Sequence, residues 1–576
     1  MNISIRTINL ALALQILSAC GGGATGNAPA AGTTAATAPA APTGLVAKAG
    51  DASVSLSFNA PSNNGGATIS SYSADCEASG THHSGSNTQS PIVVSGLSNG
   101  TLYSCTVKAT NSVATGVASA AVSATPASAV ALGSFSGNIV LGVPTASTIK
   151  ANVFSPTQSG VVSISYGTSP GAYSQQTPAV SLLAATPLEI SIDGLASNTR
   201  HYYRLNYRPT GSDISGPTEE YSFHTARPAG STFTFSVQGD SHPERPNEFN
   251  ADLYSRTLLT AAADQPDFHI TLGDDFSVDT LNSATVTAAQ VTGRYTLQRP
   301  YLGLIGRSAP VFLVNGNHEQ SAGYLLDGTA SNVAVWAQNA RNTHYSQPAP
   351  DGFYSGNTQQ IPHIGLPRNY YAWTWGDALF VTIDPYLPSP VPLATIFGTA
   401  TPNTDIWAVS HGDAQYQWLK ATLEQSKAKY KFVFAHHVMG AGRGGIEVAT
   451  LAEWGGLNKN GVSEFASKRS TWSTPIHQLM AANKVSIFFQ GHDHAWVRQQ
   501  LDGVTYQTLS EPANPNYNVS EWAGYFLSGD KFPNTGYTRV TVTPNGIKVD
   551  YVRTYLPADE GAGKVSGSTA FSYTIP

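Results

Sequence analysis

Seven side chains of types that bind metal ions follow short apolar runs in the second half of the chain. The runs are FTFSVQ, FHITL, PVFLV, KFVF and VSIFFQ, and the side chains that follow them are Asp240, His242, Asp274, Asn317, His436, His492 and His494. Carboxylate, amide and imidazole groups suit Fe, Zn, Mn and similar ions. If the seven groups converge in space, they predict a transition-metal site.

The runs themselves predict the elements that bring these groups together. A run such as Val311 to Val314 is long enough only for a strand, and its lack of polar alternation indicates burial on both faces. Between the runs lie helical patterns such as ADLYSRTLLTAAADQ and AQYQWLKATLEQSK, so residues 231–514 read as α/β. Open α/β sheets bind ligands beyond the carboxyl ends of their strands, where the seven groups lie.

The end of the chain returns to alternating strands. GYTRVTVTP and IKVDYVRTY are separated by Asn545-Gly546, a strong hairpin signal. We expect these strands to complete a second sheet of the same domain, which then spans residues 231–576. A long insertion at 321–368 is predicted to be either a substrate wall or a structural Ω-loop.

Taken in order, the motifs Gly239-Asp240-x-His242, Gly273-Asp274, Gly316-Asn317-His318-Glu319, Val433-x-x-His436 and Gly491-His492-x-His494 resemble the calcineurin-like metallophosphoesterase superfamily. The resemblance implies a two-sheet αββα sandwich with a dinuclear site for transition metals such as Fe, Zn or Mn. It implies that the first ion takes Asp240, His242, Asp274 and His494, and that the second takes Asp274, Asn317, His436 and His492. Two cations about 3.5–4 Å apart repel, so an anionic bridge such as Asp274 is needed between them.

Within this superfamily the chain is similar to purple acid phosphatases, with one departure. Those enzymes carry a tyrosine three residues after the bridging aspartate, where this chain has Ser277, and they lack the histidine found here at His242. The sequence therefore predicts a metal site without a tyrosinate-to-iron absorption band.

The resemblance also implies a mechanism, in which hydroxide shared by the two metals attacks phosphorus in line. His318 is expected to contact the phosphate and protonate the leaving group, with Glu319 in a supporting role. Asn317 and Arg443 are further candidates for substrate binding. Arg443 lies in a glycine-rich segment, and a solvated loop arginine is the alternative interpretation.

The first residues predict export. MNISIRTINLALALQILSAC has Arg6, an apolar stretch too short to span a bilayer, and the ending Leu17-Ser18-Ala19-Cys20. This looks like a bacterial lipoprotein signal (residues 1–19), which implies acylation of Cys20 and anchoring in an outer membrane or at the cell surface. An ordinary secretory signal is the alternative. Cys76 and Cys105 are the only other cysteines, and an oxidising compartment would let them pair.

Between the signal and the α/β region, the sequence predicts a flexible Gly/Ala/Thr/Pro tether at 20–42 and two all-β sandwiches. The first, at 43–127, resembles a fibronectin type III domain, with Tyr103 in the place of its corner tyrosine. The second, at 130–227, resembles the amino-terminal β-domain of purple acid phosphatases, which packs beside the catalytic domain.

Composition limits the partners. Only 11% of the residues are charged, with 30 Lys and Arg against 36 Asp and Glu, so no basic field exists to hold a nucleic-acid backbone. We expect a small phosphate ester as substrate and a phosphomonoesterase as the leading function. A phosphodiesterase or nucleotidase on the same site is the nearest alternative, and a non-catalytic adhesion or glycan-binding lipoprotein is an alternative of another class.

Overall fold

The computed structural model describes residues 35–50, 52–126, 135–212, 215–392, 405–439, 442–561 and 563–576. The predicted signal peptide and Cys20 lie outside these ranges. The chain divides into two compact units, residues 1–131 and 132–576. Among the described residues, no helix combines the length and the apolar character needed to cross a bilayer.

The first unit is a β-sandwich, as predicted. Its strands are β1 (Thr43–Gly50), β2 (Ser53–Asn59), β3 (Ile69–Ala78), β4 (Thr81–Asn87), β5 (Ile92–Ser95), β6 (Tyr103–Asn111) and β7 (Val122–Ala124). The strand orders β1-β2-β5 and β4-β3-β6-β7 define its two sheets. Cys76 and Cys105 form a disulfide between directly paired positions of β3 and β6, which confirms the predicted pairing. The hydroxyl of Tyr103 accepts a hydrogen bond from the Ser98 amide at 3.0 Å, as a corner tyrosine does.

A second sandwich opens the other unit. Its strands are β8 (Asn138–Gly142), β9 (Ile149–Phe154), β10 (Gly160–Gly167), β11 (Gln175–Gln176), β12 (Val180–Leu182), β13 (Leu188–Ile192), β14 (Arg200–Pro209), β15 (Gly216–Pro217) and β16 (Tyr221–His224). A three-stranded sheet, β13-β9-β8, packs on a six-stranded sheet built around β10 and β14. The sandwich is fastened to the α/β region by Arg299, whose buried guanidinium donates to the side chains of Asn138 and Asn152 at 2.7 and 3.0 Å.

The α/β region holds fourteen strands and eight helices in its described part. The strands are β17 (Phe233–Gln238), β18 (His269–Thr271), β19 (Val311–Leu313), β20 (Ser355–Gly356), β21 (Tyr371–Trp375), β22 (Ala378–Thr382), β23 (Tyr430–Phe434), β24 (Ile487–Gln490), β25 (Trp496–Leu501), β26 (Val504–Thr508), β27 (Asp530–Phe532), β28 (Gly536–Thr543), β29 (Gly546–Arg553) and β30 (Thr569–Ile575). The helices are α1 (Ala251–Ala263), α2 (Ala288–Leu297), α3 (Arg299–Gly306), α4 (Val333–His344), α5 (Asp413–Gln425), α6 (Ala452–Gly455), α7 (Phe465–Lys468) and α8 (Ile476–Ala482).

Two mixed sheets pack face to face, with strand orders β19-β18-β17-β28-β29-β30 and β20-β21-β22-β23-β24-β26-β25-β27. The strands β17, β18 and β19 are parallel neighbours in the first sheet, and β22, β23, β24 and β26 are parallel neighbours in the second. The predicted αββα class is thereby confirmed. The C-terminal hairpin was misplaced, however, because β28 pairs with β17 and so extends the first sheet rather than completing the second.

Burial of both faces of a strand explains why polar and apolar residues do not alternate along the predicted strands. Phe432 and Phe434 of β23 point into an aromatic core between the two sheets, which they share with Phe235 of β17. Val433, between them, faces the helical layer and contacts a cluster that includes Leu419 of α5. Both faces of such a strand need apolar side chains, so the sequence shows a continuous apolar run.

The insertion at 321–368 contains regular secondary structure. It contains a 3-10 turn at Gly323–Leu325 and the twelve-residue helix α4, whose N-cap Asn332 accepts from the amides of Ala334 and Val335. The amide of Gly323 donates to the carbonyl of Tyr386 at 3.1 Å, which holds the start of the insertion against the loop that follows β22.

Candidate metal centre

The seven predicted side chains converge at the carboxyl ends of β17, β18, β19, β23 and β24. Each is at most 9% exposed to solvent, although each is polar. Polar groups are rarely buried together unless a partner compensates the loss of hydration. The ligand atoms form two neighbouring groups: Asp240, His242 and His494 in one, and Asp274, His436 and His492 in the other.

In the first group, the imidazole nitrogens face one another. The Nε2 atoms of His242 and His494 are 3.2 Å apart, and they lie 4.0 and 3.2 Å from Oδ2 of Asp240. When neither of these facing nitrogens carries a proton, both electron pairs point into the group, where they could bind a cation.

The second group repeats this arrangement. His436 Nε2 lies 2.9 Å from Oδ2 of Asp274, 2.9 Å from Oδ1 of Asn317 and 3.1 Å from Nδ1 of His492. Nitrogen and oxygen atoms with available electron pairs converge on one point in each group. The donor set therefore fits two transition-metal ions, with Asp274 placed near enough to both groups to be shared.

Other atoms hold the imidazoles in orientation. Nδ1 of His436 lies 2.8 Å from the carbonyl of Leu272, Nδ1 of His242 lies 3.1 Å from Oγ of Ser277, and Nδ1 of His494 lies 3.3 Å from Glu511. Partners of this kind fix which ring nitrogen faces a metal. Ser277, at the position where purple acid phosphatases have tyrosine, thus contacts a predicted ligand.

The charges of the site favour cations. Burial alone would lower the pKa of His436, but the neighbouring Asp274 and Asp240 carboxylates outweigh it and raise that pKa to about 10. For His494, burial is likewise outweighed by Glu511 and Asp240, and its pKa rises to about 9. Burial and the adjacent imidazoles lower the pKa of His242 and of His492. The imidazoles of His242 and His492 therefore stay neutral, whereas the carboxylates of Asp240 and Asp274 attract positive charge.

The backbone must turn sharply to present these ligands. Asp274 and His492 have φ angles of 57° and 67°, in the left-handed region. A Cβ atom on Gly316 would lie 2.2 Å from Oδ1 of Asp274, and one on Gly491 would lie 2.3 Å from Oδ1 of Asp240. Only glycine fits at these two positions without displacing a ligand.

His318 lies at the mouth of the site, with its side chain 16% exposed. Its Nδ1 is 2.6 Å from Oδ2 of Asp279, and its Nε2 is 3.6 Å from Oδ2 of Asp274. The guanidinium of Arg245 is 3.1 Å from the imidazole ring. The predicted proton donor therefore stands beside the metal ligands with a carboxylate on one side and a permanent positive charge on the other.

The side chain of Glu319 turns away from the substrate side. Its carboxylate accepts hydrogen bonds from the backbone amides of Gly316 (2.6 Å), Asp275 (2.8 Å) and Phe276 (3.2 Å). These amides belong to the two loops that carry Asp274 and Asn317. Glu319 thus ties the two ligand loops together through both of its oxygens, and a supporting role in catalysis stays a prediction.

Arg443 is not a freely solvated loop arginine, and its role in substrate binding stays a prediction. Its guanidinium donates to the carbonyl of His492 and lies 3.4 Å from Oδ1 of Asp493. It also stacks over the ring of Trp522 at 4.3 Å. These contacts hold Arg443 against the loop of a predicted ligand.

Four residues near the site were not identified from the sequence as site residues: Arg245, Asp279, Tyr386 and Glu511. Tyr386 is 2% exposed, its ring centroid is 6.1 Å from that of His436, and its hydroxyl has no hydrogen-bond partner among the described residues. Arg245 follows the first motif by three residues, a spacing that offered a weak signal. The other three lie in loops without motif context.

Comparisons with known proteins agree with this geometry. Residues 40–125 match the family model for the fibronectin type III domain, and residues 233–496 match that for the calcineurin-like phosphoesterase. No curated protein has a sequence that matches the chain.

Two solved structures share the fold. The structure of PhoD has 15% identity and a TM-score of 0.52, covering 76% of this chain and 89% of that chain. The structure of a purple acid phosphatase from yellow lupin (Lupinus luteus) seeds has 14% identity and a TM-score of 0.50, covering 91% of this chain and 92% of that chain.

Proposed function

We propose, since residues 233–496 match the family model for the calcineurin-like phosphoesterase, that the protein is a phosphatase which hydrolyses phosphomonoesters at a dinuclear metal centre. Metal-dependent hydrolysis of a phosphoric ester is the activity of the domain. The preference for monoesters, the residues in named roles and the location outside the cell belong to the proposal.

Asp240, His242, Asp274 and His494 would hold one ion, and Asp274, Asn317, His436 and His492 the other. When bound, such ions supply positive charge for the phosphoryl oxygens and lower the pKa of the attacking water. The chain contributes the rigid placement of all seven groups, which are buried and oriented by their neighbours. Preorganised groups of this kind need no rearrangement as charge develops in the transition state.

His318 would hold the proton that the leaving oxygen needs. Asp279 accepts from Nδ1 and so stabilises the protonated ring, which leaves Nε2 to deliver its proton to the departing alkoxide. In an in-line displacement the leaving group departs opposite the attacking water, so one donor at the mouth of the site suffices.

The observation that carries the monoester preference is the placement of Arg245 beside His318. A monoester near neutral pH carries about two negative charges, and a diester carries one. The permanent positive charge of Arg245 therefore favours binding of the monoester. The hydroxyl of Tyr386, which is buried near His436 and has no hydrogen-bond partner in the described part of the chain, offers one further hydrogen bond to a phosphoryl oxygen.

Matched substrates test this preference. We expect kcat/KM of the metal-loaded protein to be at least about tenfold higher for p-nitrophenyl phosphate than for bis(p-nitrophenyl) phosphate, since one extra charge-assisted hydrogen bond is worth about 1.5–3 kcal/mol. Arg245→Gln is expected to reduce the monoester rate more than the diester rate. A faster diester reaction would assign the site to phosphodiester hydrolysis instead.

We also propose that the iron-loaded protein is not purple. Ser277 stands where a tyrosinate ligand would be needed, and its hydroxyl contacts His242. Visible spectroscopy of the iron-loaded protein is expected to lack an intense phenolate charge-transfer band, and such a band would contradict this assignment.

Export and lipid anchoring remain a proposal that the signal-like residues 1–20 and the disulfide support, since disulfides persist in oxidising compartments. Radiolabelled palmitate is expected to be incorporated by the wild-type chain and not by Cys20→Ala. Equal labelling of the two would rule out acylation at Cys20.

A further inference from the structure

A cavity of about 320 Å³ opens beside His494. Amides and carboxylates line most of it: Asn514, Asn516, Asn518, Glu248, Glu511 and Glu521. None of its lining residues is Lys or Arg. Its volume lies at the lower end of the range for ligand pockets, about 300–1,000 Å³, and suits one small organic group.

The cavity adjoins the candidate metal centre through His494. Arg245 contacts His318, the proton donor, at 3.1 Å, and its Nη1 is 3.4 Å from Oε2 of Glu248 in the cavity wall. His494 belongs both to the wall and to the first group of ligands. An alcohol released from a phosphate held beside His494 would enter this cavity.

We propose that the phosphatase site takes phosphate esters of neutral, polyhydroxylated alcohols, whose hydroxyl groups bind the amides and carboxylates of this cavity. The proposal rests on the phosphomonoesterase function and names its substrate class. Hydroxyl groups both donate and accept, so they match a wall that offers both asparagine amides and glutamate oxygens.

The charge of the wall disfavours polyanionic leaving groups. A nucleoside triphosphate or an inositol polyphosphate would bring additional phosphates against a wall without lysine or arginine, in which Glu521 has no charged partner among the described residues. Sites that offer like charges to a ligand discriminate against it by several kcal/mol.

The wall does not favour a cationic leaving group either. Glu248 is paired with Arg245 and Glu511 with His494, so Glu521 is the one wall carboxylate without a charged partner among the described residues. The ring of Trp522 lines the cavity and is already covered by the guanidinium of Arg443, whose Cζ atom lies 4.3 Å from the ring centroid. A second cation at that ring would meet a like charge.

A substrate panel tests the proposal on the metal-loaded full chain. Glucose 6-phosphate and glycerol 3-phosphate represent a ring and an open-chain polyol, ATP and inositol hexakisphosphate the polyanions, and phosphocholine the cations. We expect kcat/KM for at least one of the two polyol esters to exceed that for every polyanion and for phosphocholine by about tenfold or more. Higher values for ATP, inositol hexakisphosphate or phosphocholine would overturn the proposal.

The panel also distinguishes the proposed phosphomonoesterase function from the proposed preference for polyol esters. Hydrolysis of p-nitrophenyl phosphate without a preference for polyol esters would refute the cavity assignment and leave the phosphomonoesterase function intact. Absence of all monoester hydrolysis would refute both.

A variant in the wall gives the second test. Asn516→Ala combined with Asn518→Ala removes two exposed amides, so folding is not at risk. We expect the ratio of kcat/KM for the preferred polyol ester to that for p-nitrophenyl phosphate to fall about tenfold, the equivalent of two ordinary hydrogen bonds. The matched control Asn460→Ala, at an exposed position outside the cavity, should leave the ratio unchanged. An unchanged ratio in the double variant would overturn the proposal.

Discussion

Replacing Asp279 by Asn tests whether His318 is a positioned proton donor. The Oδ2 atom of Asp279 is 2.6 Å from Nδ1 of His318, and the two side chains are only 11% and 16% exposed, so water screens their interaction weakly. A hydrogen bond to a charged group in such a setting contributes about 1.5–3 kcal/mol. If that energy stabilises the protonated imidazole in the transition state, Asp279→Asn should lower kcat by about 10- to 150-fold.

The assay is steady-state hydrolysis of a monoester by protein whose metal content has been measured. Because Asp279 contacts none of the seven ligands, Asp279→Asn should keep the metal content of the wild type. The matched control Asp327→Asn changes an exposed aspartate of the insertion and should keep normal kcat.

A double variant separates this account from a general loss of structure. If Asp279 acts only through His318, then adding Asp279→Asn to His318→Ala should cause little further loss of kcat. A full additional loss, or a near-normal kcat in the single variant, would refute the reasoning.

Three further predictions concern residues other than the seven candidate ligands. Glu319→Gln places an amide donor against the backbone amides of Gly316 or Asp275, so metal affinity measured by competition with a chelator should fall about 10- to 100-fold. Tyr386→Phe removes a buried hydroxyl without changing the ring, and should lower kcat/KM about three- to tenfold while both metals stay bound. Burial raises the pKa of Glu453, but the hydrogen bond and charge of His411 and the charge of Arg469 outweigh burial and lower it below 4.5. A lowered folded-state pKa stabilises the fold above the unfolded value, so the free energy of unfolding should drop as pH falls below about 4.5, and less so in Glu453→Gln. Equal pH profiles of thermal unfolding for the two proteins would contradict this assignment.

The convergence of the seven candidate ligands could be predicted from the sequence because two signals coincide at each of them. A continuous apolar run marks a strand buried on both faces, as in β23, and a ligand type follows at its carboxyl end, as His436 does. Ligands of α/β sheets bind beyond the carboxyl ends of the strands, so the side chains that follow these strands were expected to lie close together. The disulfide was predictable for a similar reason, since Cys76 and Cys105 lie on strands of one small sandwich.

The orienting residues were not predictable because their contacts join distant loops. Asp279 meets His318 across 39 residues, and Glu511 meets His494 from a loop without periodicity. The C-terminal hairpin was assigned to the wrong sheet because alternation identifies a strand and not its neighbour. Its pairing with β17, as of Phe233 with Val542, joins strands far apart in the chain, which no local pattern reveals.

Metal stoichiometry tests the central claim most directly. The protein, loaded with Fe, Zn or Mn and freed of excess ions, is predicted to hold two equivalents per chain by elemental analysis. Asp274→Ala, which removes the residue assigned to both ions, is predicted to hold less than one, whereas Asp279→Asn is predicted to hold two. Less than one equivalent in the wild type, or two in Asp274→Ala, would contradict a dinuclear centre bridged by Asp274.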